Sequence, residues 1–315
     1  LTFIPLIFLF RQCNDNPSKP DQKFYPEELI ILSAKADPDS PELLTKAYLI
    51  RPDGSEKTLL LEGDYDFRWA KFSPTKEYIA IVGYMGMYGP PKIFIIDHEG
   101  NLVRLLTHNG ACPVWSPDGE KIIYNYVPAY ATLVADLYII NSDGTEKTQL
   151  TDPDSANLSP FEWSNDGSQL LGQEMIFYDD TTRPYNKGEI VLFTPEGKVT
   201  EYLTRNDIPD LRASFSPTCD SVAIVSGVFR QRDIYILDLN NRDITNLTNS
   251  PDEYLNVIWS PDGSEIAYTK EFFEGYCHEL GTDVFIINVN TGESRRLTYT
   301  VEDSVRVYTS VIDWR

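Results

Sequence analysis

Histidine, methionine and cysteine are scarce in this chain, with three, three and four copies among 315 residues, and acidic residues outnumber basic ones by 48 to 27. The three histidines, His98, His108 and His278, never stand at the spacing of a metal-binding pair. No His-Glu-x-x-His, no Gly-x-Ser-x-Gly elbow and no phosphate-cradling glycine loop occurs. His98 and His108 read as solvated loop residues. Cys277-His278-Glu279 is a tempting cluster, yet neighbours in an extended segment point to alternate sides and make a poor catalytic or metal group. No Lys/Arg stripe interrupts the net charge of -21. That charge excludes nucleic acid, whose backbone needs a basic track, and repels anionic lipid head groups. Cys112, Cys219 and Cys277 are placed in a loop entering an inner strand, a tight turn and a long loop. Those positions are out of disulfide reach of one another, so three free thiols are expected and no cysteine-based metal site.

What the chain does have is a repeat. Phe72-Ser-Pro-Thr, Trp115-Ser-Pro-Asp-Gly, Trp163-Ser-Asn-Asp-Gly, Phe215-Ser-Pro-Thr and Trp259-Ser-Pro-Asp-Gly recur 43 to 52 residues apart, and Asp313-Trp314-Arg315 stands where a sixth copy would begin. This period suits a four-stranded blade. In each copy a short inner strand runs into a turn preset by Pro and by Asp-Gly, and a second, third and fourth strand follow. Third strands recur six times: Ala47-Tyr-Leu-Ile50, Ile93-Phe-Ile-Ile96, Leu137-Tyr-Ile-Ile140, Ile190-Val-Leu-Phe193, Ile234-Tyr-Ile-Leu237 and Val284-Phe-Ile-Ile287. They are apolar nearly throughout, as strands covered on both faces must be. The recurrent Trp or Phe then reads as packing between blades.

These phases predict an all-β, six-bladed β-propeller of four-stranded antiparallel blades. Residues 28 to 61 supply three strands with no inner strand before them, and Val307 to Trp314 supply one with nothing after it. The C-terminal strand is expected to complete the first blade and close the ring, removing unpaired edges. Three segments are read: 1–13 a signal-like remnant, 14–26 a polar tether, and 27–315 the propeller.

At Trp115-Ser-Pro-Asp-Gly, Trp259-Ser-Pro-Asp-Gly and Asn141-Ser-Asp-Gly-Thr-Glu-Lys-Thr-Gln-Leu-Thr151, the chain resembles the TolB-type propeller repeats, also called WD40-like PD40 repeats. The Leu-Thr ending recurs in phase at Leu106-Thr107, Leu150-Thr151, Leu203-Thr204, Leu247-Thr248 and Leu297-Thr298. The resemblance covers the propeller and not the additional α/β domain of TolB; residues 14 to 27 are too few to encode one. It implies a cell-envelope setting. The same repeats form the propeller of prolyl-oligopeptidase-like enzymes, where a separate hydrolase domain does the chemistry.

The apolar run Leu1 to Phe10, too short to span a bilayer, is followed by Arg11-Gln12-Cys13 and a polar stretch. It is similar to a bacterial lipoprotein signal, with Cys13 the lipidation candidate, although Phe10, Arg11 and Gln12 replace the small residues and Leu of that pattern. Two readings stay open, a lipid anchor at Cys13 and an apolar tail without one. The expected location is the periplasm or the cell surface, as an outer-membrane lipoprotein if Cys13 is acylated. No other membrane contact is expected, and the protein reads as a monomer.

Function is sought on the face that carries the second-to-third-strand connections. These hold Tyr84, Met85, Met87 and Tyr88, then Tyr126 and Tyr130, Phe177, Tyr178 and Tyr185, Phe229, and Phe272, Phe273 and Tyr276; all three methionines belong to this set. Aromatic and Met residues concentrated in loops make a contact surface for a partner, or a satellite core beneath folded loops. Acidic connections, Asp64, Asp66, Asp152, Asp154, Asp207, Asp210, Asp252, Glu253, Glu302 and Asp303, share that face; none follows a Ca²⁺-loop spacing. The favoured reading is an exported, non-catalytic binding or scaffold propeller docking an envelope protein, peptide or glycan, with no cofactor. The alternative is a metal-dependent hydrolase or lyase, with Ca²⁺ or Mg²⁺ held by carboxylates in the central channel.

Overall fold

A computed structural model describes residues 26–35, 45–86, 89–127, 136–151, 157–176, 187–274, 278–299 and 307–315. The signal-like segment, Cys13 and the tether up to residue 25 lie outside the described residues.

Strands β1 (Leu29–Lys35), β2 (Thr45–Ile50) and β3 (Thr58–Leu61) come first. β4 (Tyr65–Phe72), β5 (Tyr78–Met85), β6 (Lys92–Asp97) and β7 (Leu102–His108) form one antiparallel sheet. β8 (Gly110–Trp115), β9 (Lys121–Tyr126), β10 (Asp136–Asn141) and β11 (Thr148–Gln149) form the next. β12 (Asn157–Trp163), β13 (Leu170–Ile176), β14 (Lys187–Phe193) and β15 (Val199–Tyr202) make a third, and β16 (Asp210–Phe215), β17 (Ser221–Val228), β18 (Gln231–Asp238) and β19 (Ile244–Asn246) a fourth. The chain ends in β20 (Glu253–Trp259), β21 (Glu265–Glu274), β22 (His278–Asn288), β23 (Ser294–Arg296) and β24 (Val307–Trp314). The result is an all-β propeller with four-stranded blades.

Six separate blades were expected, and here the structure differs. Four sheets have four strands each, whereas β20 to β24 join β1 to β3 in one sheet of eight. The join is a short parallel pairing of β22 with β24, Gly281 beside Val307 and Thr282 beside Tyr308. Gly281 makes that approach possible: its φ is +134°, and a Cβ there would lie 2.3 Å from the Val307 carbonyl oxygen. Along its other edge β24 pairs antiparallel with β1 from Leu29 opposite Trp314 to Lys35 opposite Val307.

Side-chain hydroxyls explain the two sequence signatures. In the turn after the inner strand the Ser116 hydroxyl donates to Asp118 Oδ1 at 2.5 Å and accepts the Lys121 N–H at 2.9 Å. Ser164 with Asp166 and Ser260 with Asp262 repeat the arrangement. Backbone and hydroxyl donors hold these exposed carboxylates below the usual range, Asp166 at about 2. Glycine takes the left-handed position at Gly119, Gly167 and Gly263, and Lys76 and Cys219 take it in the two copies without glycine. The Leu-Thr ending is a latch. Thr151, Thr204, Thr248 and Thr298 hydroxyls accept the N–H of Leu137, Ile190, Ile234 and Val284 at 2.8–3.0 Å. Three of them also donate to an acid at the start of the third strand, Glu189, Asp233 or Asp283.

The buried apolar side chains gather into clusters that lie between sheets. Trp115 packs with Ile93 and Ile95, Phe215 with Phe161 and Ile190, Trp259 with Val225 and Ile234. Phe72 packs on Ile30, Leu49 and Ile312, and Trp314 on Ala267 and Ile286. The recurrent aromatics therefore fill the gaps between neighbouring blades, as their spacing predicts. The Trp314 cluster sits between the two halves of the eight-stranded sheet, so those halves face each other as separate blades would.

Candidate functional site

One residue at a time, the inner strands build a channel. β4, β8, β12, β16, β20 and β24 all line a narrow cavity of about 30 Å³ that includes Trp69, Lys71, Cys112, Glu162, Arg212, Asn256 and Ile312. Below it the Ser-Pro turns border two cavities of about 280 and 230 Å³. Above it, toward the ends of the long hairpins, a wider one of about 520 Å³ opens.

Each inner strand carries a β-bulge where it meets its neighbour, between Phe67 and Trp69, Ala111 and Val114, Pro160 and Glu162, Asp210 and Arg212, Tyr254 and Asn256, and Val311 and Asp313. A bulge inserts one residue and re-aims the side chains on either side. Here it turns polar residues toward the axis. At the lower level Lys71 lies 3.1 Å from Asp313 and 3.8 Å from Glu162. Asp313 also accepts the Phe72 N–H at 2.9 Å, and Glu162 accepts the Phe215 N–H at 2.8 Å and the Ser214 hydroxyl at 3.0 Å. Burial pushes the Glu162 carboxyl up and Lys71 pulls it back. The two carboxylates converge, but on a lysine, and each is tied to the backbone of another blade. Among the described residues, His, Cys, Asp and Glu form no group of three able to hold a metal.

The upper level differs. The Arg212 guanidinium lies over the rings of Trp69 and Phe161, 4.4 and 5.4 Å from their centroids, and donates to the Leu211 carbonyl at 3.0 Å. No carboxylate among the described residues pairs with it. Burial pulls its pKa down, and Cys112 close by pulls it up. The Cys112 thiol is pushed up to about 11 by burial, against the pull of Arg212. Contrary to expectation Cys112 is in β8, on the channel wall, and not in a loop. It and Cys219 are free thiols; Cys277 lies outside the described residues. Arg68 stands over Tyr84 at 4.6 Å and bonds Asp66 at 2.8 Å, and Asp66 accepts the Thr45 hydroxyl at 2.6 Å.

Of the aromatic set, Met87, Tyr88, Tyr130, Phe177, Tyr178, Tyr185 and Tyr276 lie outside the described residues. The others stand mostly on strand ends, because pairing continues past the apolar runs: Tyr84 and Met85 in β5, Tyr126 in β9, Phe272 and Phe273 in β21. Phe229 occupies the turn between β17 and β18. Tyr126 packs against Tyr138 under Lys147, at the edge of the Trp115 cluster, and Phe272 packs against Phe285. Phe229 and Met85 are outward-facing, 61% and 54% exposed. Phe229 meets Phe273 edge-on at 6.1 Å, and Arg230 caps the Phe273 ring at 4.2 Å. The inner-strand residues Arg68, Trp69, Lys71, Glu162, Arg212 and Asp313 went unnoticed in the sequence. Alignment of the repeats on their Trp or Phe would have shown a charged residue one position before it in three copies, Lys71, Glu162 and Asp313, and three positions before it only at Arg212.

No family model matches the chain. A curated relative, the uncharacterized protein Atu1656 of Agrobacterium fabrum, is 28% identical over 204 residues, which cover 59% of this chain and 64% of that protein. Among solved structures, TolB from Acinetobacter baumannii aligns with a TM-score of 0.66 at 18% identity, over 90% of this chain and 66% of TolB. The β-propeller domain of the Trilobed protease from Pyrococcus furiosus aligns at 0.54 and 16%, over 87% of this chain and 81% of that one. An oligogalacturonate lyase in complex with manganese aligns at 0.53 and 14%, over 83% and 74%. The chain thus spans just under two thirds of both Atu1656 and TolB. Sheet order, repeat signatures and these likenesses agree that the fold is that of a TolB-type β-propeller.

Proposed function

We propose that the chain is an exported, non-catalytic binding propeller of the bacterial envelope, a six-bladed ring closed by β24 that docks a protein, peptide or glycan over the wide end of its channel. The eight-stranded sheet counts as two blades in this reading. One observation carries it: the ionisable groups of the channel floor are consumed in bonds between blades, while the opposite end is an open cavity lined by Trp69, Tyr84, Arg212 and Tyr308, and Met85 and Phe229 stand exposed at the ends of second strands. Exposed aromatic and Met side chains contribute most when a partner buries them. The TolB likeness supports the envelope setting, and Cys13 is the anchor we propose where the signal is acylated. A metal-dependent hydrolase or lyase acting in the channel is the alternative, suggested by the lyase likeness; Lys71, standing where Glu162 and Asp313 converge, speaks against it.

Replacing Phe229 and Phe273 together by Ser is expected to weaken capture of the envelope partner by at least tenfold, at about 1–2 kcal/mol per anchor. Phe229 is exposed and Phe273 is half-buried against it under Arg230, outside the core clusters, so the melting temperature should move little. Quantitative pull-down from envelope extract with a parallel thermal melt checks this. A double variant that captures normally, or one that melts far below wild type, would remove the docking face.

A further inference from the structure

The molecule carries a net charge of -21, yet the wide end of its channel presents cations. Arg68 and Arg212 line the 520 Å³ cavity, and among the described residues only Asp66 brings a negative charge to its wall. Asp66 is already engaged by Arg68 and Thr45. Arg212 is left with an aromatic bed and one backbone carbonyl. A guanidinium packed over rings is pre-ordered, and its remaining N–H groups form a planar fork that matches a carboxylate. Partial burial strengthens such a pair and makes an unpaired cation costly, so the site gains by taking an anion.

We infer that Arg212, assisted by Arg68, forms a subsite for a carboxylate carried by an extended segment of a protein partner. This rests on the docking reading above and names the chemistry of what enters the channel. Size and lining favour a peptide. About 520 Å³ admits one or two residues and no folded domain, and Leu32, Leu211, Leu255 and Ile312 give the cavity an aliphatic side. Two of the rings that could stack a sugar are covered instead, Trp69 by Arg212 and Tyr84 by Arg68, which leaves Tyr308 on the wall. An acidic residue or chain end next to an apolar side chain fits both halves of the wall.

The test uses the whole protein and three probes in isothermal titration at low salt: acetyl-Leu-Leu-Asp with a free C-terminus, acetyl-Leu-Leu-Asn amide, and galacturonate. The acidic peptide is expected to bind, the amide to bind at least tenfold more weakly, and Arg212→Gln to erase that difference while Arg212→Lys restores part of it. Affinity for the acid should fall only modestly between low and physiological salt, because a partly buried pair is weakly screened. Equal binding of acid and amide, no effect of Arg212→Gln in a variant that melts like wild type, or preference for galacturonate would each overturn the inference. The docking reading is judged separately, because the Phe229 and Phe273 double variant leaves the channel cations in place. If that variant loses its partner while Arg212→Gln keeps it, the docking face stands and the carboxylate subsite falls.

Discussion

Deleting residues 307–315 is expected to abolish cooperative melting and leave a chain that self-associates. β24 is bonded on both sides, to β1 along its length and to β22 at two positions. It places Val311, Ile312 and Trp314 in the gaps toward both neighbouring blades, where they are at most 7% exposed. Each contributes about 2–3 kcal/mol through burial, so the loss matches much of the 5–15 kcal/mol that keeps a typical domain folded. Deletion also strips Lys71 and the Phe72 N–H of the Asp313 carboxylate. The exposed β1 edge then becomes a template for intermolecular pairing. Sedimentation and calorimetry of the truncated protein decide the point. A monomer with an unchanged melting temperature would show that closure does not depend on this strand.

Asp210→Asn is expected to stabilise the protein above pH 6 and to change little below about pH 4. Asp210 is 1% exposed, and neither of its carboxyl oxygens has a hydrogen-bond partner. Burial, with Glu189 adding to it, pushes its pKa up to about 6 against the pull of Ser226, Thr204 and Lys187. The folded state therefore holds this proton more tightly than the unfolded chain. Stability from Asp210 is complete below the ordinary Asp range and is lost as pH rises through about 6. A shift of about two units corresponds to roughly 3 kcal/mol above that pH. Removing the charge should raise the melting temperature at pH 8 by roughly 3–6 °C in a domain of this size. Thermal melts at pH 4 and pH 8 check the difference, and an equal effect at both would contradict the buried-charge account.

The scaffold was legible because its bonds are local. The Ser-x-Asp turns and the Leu-Thr latches each close within about 15 residues, so their phase appears directly in the sequence. The merging of the last blade with the terminal one was not, since it depends on Gly281 lying against Val307, 26 residues away. The site was harder still. Period-2 alternation predicts which residues of a strand face inward, but a bulge adds one residue and inverts that parity on its far side. Arg212 and Trp69 stand beside such bulges, and so Arg212 gave no sign of turning toward the axis. Tyr126 and Phe272 fell in apparent loops because β9 and β21 extend beyond their apolar runs, and at these two positions the aromatic pattern marked packing.

Hydrogen exchange of the captured complex against the free protein tests most directly whether the wide end of the channel is the working face. Exchange is expected to slow at residues 65–69, 84–86, 228–232, 254–256 and 308–310, and to stay unchanged at the Ser-Pro turns, residues 73–77, 116–120, 164–168, 216–220 and 260–264. Slowing at the turns with no change around the wide mouth would contradict the account.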